Sequence, residues 1–115
     1  MKKDNKIIIG LALTVIVIIA VIVFIKNYNS DTLNEELARC IASKSIMYSQ
    51  LGCSHCIEQK KLFGDYTSIF DIVECDEEPQ KCADAGISGT PTWIINNQKI
   101  VGVRTIKQLK ELSGC

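Results

Sequence analysis

The sequence predicts an α/β fold class: a compact four-stranded mixed sheet flanked by helices, behind one N-terminal transmembrane helix. Three observations predict it. Residues 7–25, IIIGLALTVIVIIAVIVFI, contain no charge. After them, segments of helical and strand periodicity follow in the order α, β, α, β, α, β, β, α, with no internal repeat. Two cysteines, Cys53 and Cys56, fall where a strand-like run gives way to a helical one, in LGCSHCIEQKKLFG.

The apolar block is the first element. At about 1.5 Å per residue it reaches roughly 28 Å, close to the hydrocarbon thickness of a bilayer. A secretory signal would have a shorter apolar region and a small-x-small cleavage site, whereas this block runs into VFIKNYNS. An uncleaved anchor is therefore favoured over a cleaved signal or a buried soluble helix. Lys2, Lys3 and Lys6 precede the block with one acid, Asp4; Lys26 follows it and then Asp31, Glu35 and Glu36. Positive charge stays in the cytoplasm, so the chain divides into a cytoplasmic N-terminus (1–6), a single-pass cell-membrane anchor (7–25), a linker (26–31) and an extracytoplasmic domain (32–115). Six cysteines in so short a chain suit an oxidising space. Residues 32–115 carry nine Lys/Arg and eleven Asp/Glu with no basic run, which excludes a nucleic-acid binder.

Within the domain, Thr32 to Glu35 reads as a capping box, and Leu33, Leu37, Cys40 and Ile41 share one face of a helix to about Ala42. SIMYSQ, Ser45 to Gln50, is the first strand. Cys53 to Phe63 is helical, with Gly64 placed to stop it. SIFDIVEC, Ser68 to Cys75, is a strand apolar enough to be covered on both faces. EEPQKCADAG gives a short helix ended by Gly86. Thr92 to Val103 holds two strands around Asn96 and Asn97, residues that tolerate the positive φ of a tight hairpin. Thr105 to Gln108 is a second capping box, opening a helix with Ile106, Leu109 and Leu112 on one face.

A Cys-x-x-Cys at a helix start puts the first sulfur among unpaired amide N–H groups and the positive end of the helix dipole, where a thiolate is stabilised. Cys53 is thus the nucleophile and Cys56, one turn in, resolves the mixed disulfide. His55 lies between them, suited to tune thiolate stability. A Cys-x-x-Cys pair has two other uses. Zinc needs four ligands, but His55, inside the motif, is the one histidine in the chain and the other cysteines are not paired at two-residue spacing, so no metal is expected. A permanently closed structural disulfide is the second. The cysteine pair itself is the redox centre, and no bound cofactor is expected. Gly89 to Thr92, GTPT, places a proline at the mouth of a strand, where its missing N–H is out of place. A cis Thr90–Pro91 bond in a turn beside the thiols accounts for it.

These residues resemble the thioredoxin fold, in which a Cys-x-x-Cys at a helix N-terminus faces a cis-proline loop. The likeness covers about residues 44–115 and lacks the usual extra first strand. Within that superfamily the chain is most similar to the thioredoxin-like domain fused to, or partnered with, bacterial and archaeal vitamin K epoxide reductase homologues. Met47 and Tyr48, the Cys-x-His-Cys, KKLFG, VECD (Val73 to Asp76), CADAG (Cys82 to Gly86), GTPTWIINNQK with Trp93, and LARC (Leu37 to Cys40) all look like that group. The resemblance implies a relay: the domain exchanges disulfides with extracytoplasmic substrate proteins and is reoxidised by a membrane quinone reductase, to which the quinone belongs. Two departures stand out. Gly52 occupies the place of an aromatic, and Met47 the place, six before the nucleophile, where many thioredoxins carry a buried carboxylate.

Four cysteines remain. Cys75 and Cys82 bracket DEEPQK, and closing that ring constrains the unfolded chain by about 2.5 kcal/mol in the loop-entropy model. A structural disulfide is the better reading, a second redox pair the sharper one. Cys40 and Cys115 pair by elimination, a loop worth about 4.5 kcal/mol in the same model, with a bridge from Cys115 to another chain as the alternative. Trp93, Phe70 and Tyr48 read as core, and Glu58, Lys60 and Lys61 as the solvated face of the active-site helix. The sequence thus points to a membrane-anchored thiol-disulfide oxidoreductase acting on protein thiols. Thr90 and Pro91 hold an extended substrate segment beside the sulfurs, and a vitamin K epoxide reductase-like enzyme is the partner. A reductase or isomerase of the same fold, or a disulfide-stapled binding module without catalysis, are the alternatives.

Overall fold

The computed structural model describes residues 2–28 and 32–115, so the Asn29 to Asp31 part of the expected linker lies outside the described residues. The chain forms two units, Met1–Thr32 and Leu33–Cys115. The first is a helix, α1 (Lys2–Tyr28), whose apolar side chains are exposed around its whole circumference. It is long and apolar enough to cross a membrane.

The second unit begins with α2 (Glu35–Ala42). Asn34, not Thr32, caps it: the Asn34 side chain accepts the Leu37 N–H at 2.8 Å. The cap thus lies two residues later than the capping-box pattern predicts, since Asn competes with Thr for that role. Next come β1 (Ser45–Ser49), α3 (Ser54–Phe63), β2 (Ile72–Glu74), α4 (Pro79–Asp84), β3 (Thr92–Ile95), β4 (Gln98–Val101) and α5 (Ile106–Ser113). The strand expected over Ser68 to Cys75 shrinks to β2, because residues 64–69 form a 3-10 turn. Thr67 stabilises that turn, its hydroxyl donating to the Gly64 carbonyl at 2.7 Å and lying 3.3 Å from that of Lys60.

The sheet order is β2-β1-β3-β4, with β1 parallel to β2 and antiparallel to β3, and β3 antiparallel to β4. This is the four-stranded mixed sheet that the sequence predicts. The register pairs Met47 with both Ile72 and Trp93. Alternation along the strands then sends successive side chains to opposite faces. On one face Ala38, Ile41, Met47, Cys56, Phe63, Phe70, Trp93, Ile95, Ile106 and Leu109 pack between the sheet and α2, α3 and α5. Phe63 stacks on Phe70, and both rings meet Trp93 edge-on. On the other face Tyr48, Val73 and Cys82 form a smaller core under α4. Neighbours Ile72 and Val73 thus enter different cores, so β2 is covered on both sides.

Two disulfides close the unit. Cys40 joins Cys115 with Cα atoms 6.1 Å apart, and Cys75 joins Cys82 at 5.7 Å. The first ties α2 to the end of the chain after α5; the second ties the end of β2 to α4.

Candidate functional site

The C-terminal end of β1 leads through Gln50, Leu51 and Gly52 into Cys53. Gly52 has φ +76°, a left-handed conformation that a side chain disfavours. This gives a backbone reason for the missing aromatic. The Leu51 N–H donates to the Asp76 carboxylate at 2.6 Å, and the Cys75 N–H to the Ser49 carbonyl at 2.8 Å. The approach to Cys53 is thereby fixed to the segment that follows β2.

Cys53 is the N-cap of α3. Its Sγ accepts the backbone N–H of Cys56 at 3.1 Å, one of the donors a helix start leaves without an intrahelical partner. Cys53 is half-buried, Cys56 is 0% exposed, and their Cα atoms stand 5.2 Å apart in the disulfide-bonded state. Across from them the Thr90–Pro91 bond is cis, and the Thr90 carbonyl oxygen lies 3.5 Å from Cys53 Sγ. Pro91 is buried and Thr90 half-buried. The loop is held on both sides: the Thr92 hydroxyl donates to the Gly89 carbonyl at 2.6 Å, and the Gly102 N–H donates to the Pro91 carbonyl at 2.8 Å. Cys53, Cys56, Thr90 and Pro91 thus meet at one place.

His55 points outward, its side chain 73% exposed and its Nδ1 3.4 Å from the Glu58 carboxylate. Any influence on the sulfurs acts through space and is offset by Glu58. Lys60 departs from the expected solvated face. It is less than one-third exposed and pairs with Glu74 of β2, whose other carboxylate oxygen is buried without a hydrogen-bond partner, as is the Ser49 hydroxyl. Met47 is fully buried in the core that contains Cys56, so no carboxylate stands at that position.

Gln59 went unnoticed in the sequence. It lies one turn after Cys56 and is 0% exposed. Its Oε1 accepts the Arg104 N–H at 2.7 Å and the Trp93 indole N–H at 3.3 Å, and its Nε2 donates to the Arg104 carbonyl at 2.9 Å. The signal was present: Cys56, Gln59 and Phe63 follow helical spacing, so the amide stands where an apolar residue is due.

No protein-family model matches the chain. It is similar to the thiol-disulfide oxidoreductase LTO1 of Arabidopsis thaliana, 40% identical over a 77-residue alignment that covers 59% of this chain. The chain spans only 20% of that protein's length. Among solved structures, the Malassezia sympodialis thioredoxin Mala s 13 aligns at a TM-score of 0.47 and 24% identity, over 61% of this chain and 71% of that one. Oxidised thioredoxin from Plasmodium falciparum aligns at 0.48 and 18% identity, over 72% and 91% of the two chains.

Proposed function

We propose that this protein is a membrane-anchored thiol-disulfide oxidoreductase that exchanges disulfides with extracytoplasmic proteins, as an oxidant recharged by a vitamin K epoxide reductase-like quinone enzyme. One observation carries the reading: a half-buried Cys53 sulfur at a helix N-terminus, beside a cis-proline loop, with Cys56 fully buried one turn in. The likeness to LTO1, a thiol-disulfide oxidoreductase by name, supports the same chemistry. The long apolar α1 supports the anchor.

In this reading a substrate thiolate attacks Cys53 Sγ, the accessible sulfur of the pair, and the Cys53–Cys56 bond breaks with Cys56 leaving as thiolate. A second substrate thiolate then attacks the substrate sulfur of the mixed disulfide and forms the substrate disulfide. Cys53 leaves as a thiolate stabilised by the Cys56 N–H and the start of α3. Two electrons have passed from substrate to the cysteine pair. The partner enzyme removes them by the reverse exchange and delivers them to its quinone. Thr90, next to Cys53 Sγ, pairs its backbone with an extended substrate segment, and cis Pro91 shapes the turn that presents it.

The test is capture of the intermediate. The full chain in detergent micelles, carrying Cys56→Ser, is expected to accumulate a mixed disulfide with a peptide disulfide, mapped by mass to Cys53. Cys53→Ser is expected to form none. Equal trapping by both variants, or by neither, contradicts the assignment.

A further inference from the structure

We infer that Gln59 is a positioning residue that holds the Thr90–Pro91 loop at its working distance from Cys53 and so sets the preference for extended peptide substrates; this rests on the oxidoreductase reading. A fully buried amide is costly unless its donors and acceptors are satisfied. Gln59 meets that requirement through two partners, and each leads back to Pro91. Trp93, whose indole donates to Gln59 Oε1, lies two residues after Pro91 on β3. Arg104, bound through both its backbone N–H and its carbonyl, lies two residues after Gly102, whose N–H donates to the Pro91 carbonyl. One side chain on the helix of Cys56 therefore holds the strand that leaves the loop and also the segment hydrogen-bonded to it. The gap it maintains is the 3.5 Å between Thr90 O and Cys53 Sγ.

The consequence differs between substrates. In the reducing direction, Cys53 thiolate attacks a disulfide sulfur, the substrate S–S bond breaks and one thiolate leaves. Cys56 thiolate then attacks Cys53 Sγ, closing the Cys53–Cys56 bond and releasing the second thiolate, so two electrons pass from the pair to the substrate. A small disulfide needs only the accessible sulfur. An extended peptide also pairs with the Thr90 backbone, so its reaction depends on where the loop stands. Displacements of about 1 Å at such a distance from the chemistry can cost up to about a hundredfold in rate.

Reduced full chain in detergent micelles is assayed against two probes, hydroxyethyl disulfide and an extended decapeptide with a central cysteine in mixed disulfide with a fluorescent thiol. For Gln59→Met the second-order rate constant for the peptide in a single turnover is expected to fall about tenfold or more, while that for the small probe falls by no more than about twofold. Gln59→Glu is the conservative companion. Its carboxylate keeps both acceptor contacts but turns a lone pair toward the Arg104 carbonyl, and protonation restores the donor. The peptide-to-small-probe ratio of Gln59→Glu is therefore expected to be low at neutral pH and to rise on acidification. Of the neighbouring charged groups, Lys60 pairs with Glu74 and the Arg104 guanidinium donates to the Val101 and Val103 carbonyls. Using the ratio cancels the titration of the thiols themselves. An unchanged ratio in Gln59→Glu at every pH, or equal loss on both probes in both variants, overturns the inference. Failure of the unmodified chain to react with either probe overturns the oxidoreductase reading instead.

Discussion

At the residue scale the proposed thiol chemistry rests on what surrounds Cys53. The Cys56 N–H and the first turn of α3 favour its thiolate directly, whereas His55 sits outside, bound to Glu58 and largely in solvent. A charge in that position acts through water, so its effect is modest. His55→Ala is expected to make the pair less oxidising, lowering its reduction potential by at most about 30 mV, a tenfold change in the exchange constant. Glu58→Gln is expected to move it the other way, by leaving the imidazole without its counter-charge. Equilibration of both variants in graded glutathione buffers checks the signs, and shifts in one common direction contradict the electrostatic account. The placement of Cys53, Cys56 and Pro91 was legible in the sequence because their residue types restrict the geometry: cysteines with two residues between them at a helix start, and a proline where a strand forbids one. Gln59 and Lys60 were not. A polar residue on a helix ordinarily faces water, and only the tertiary partners Arg104, Trp93 and Glu74 reveal that these two face inward.

At the scale of elements, the Cys40–Cys115 and Cys75–Cys82 disulfides differ in what they constrain. Cys40–Cys115 joins α2 to the chain end, 75 residues apart, and Cys75–Cys82 closes a separation of 7. Loop entropy makes the first the stronger staple. The Cys40→Ala/Cys115→Ala pair is expected to cost about 4.5 kcal/mol of stability and the Cys75→Ala/Cys82→Ala pair about 2.5 kcal/mol. Urea unfolding of the full chain, followed by Trp93 fluorescence, measures both. A larger loss from the Cys75–Cys82 pair contradicts this ranking and directs attention to the hydrogen bonds that join the segment after β2 to the approach of Cys53. Helix and hairpin ends were legible wherever the local chemistry acts alone. Asn96 and Asn97 adopt the positive φ values of 47° and 65° that their turn requires, and Thr105 with Gln108 forms both halves of a capping box. The start of β2 was not legible, because Ile69 and Phe70 have strand propensity but end and cap a 3-10 turn held by the Thr67 hydroxyl.

At the scale of the whole molecule, the order of elements and the position of the Cys-x-x-Cys within it led to the right sheet. Alternating periodicities with a hairpin near the end leave few ways to build one sheet. What the periodicities left open is how finely the cis-proline loop is held against α3, a property of contacts between Gln59 and residues 34 and 45 positions away. The proposed role as an oxidant depends on one thermodynamic quantity, the reduction potential of Cys53–Cys56. A helix start that stabilises the Cys53 thiolate stabilises the reduced pair, and that makes the Cys53–Cys56 disulfide a stronger oxidant. The most direct measurement is that potential in the full chain in detergent micelles, read by alkylation and mass after equilibration with graded glutathione buffers. Cys40–Cys115 and Cys75–Cys82 are monitored in the same peptide map. A value of about −120 to −200 mV is the expected result. A value near about −270 mV or below would make the protein a reductase and contradict the account.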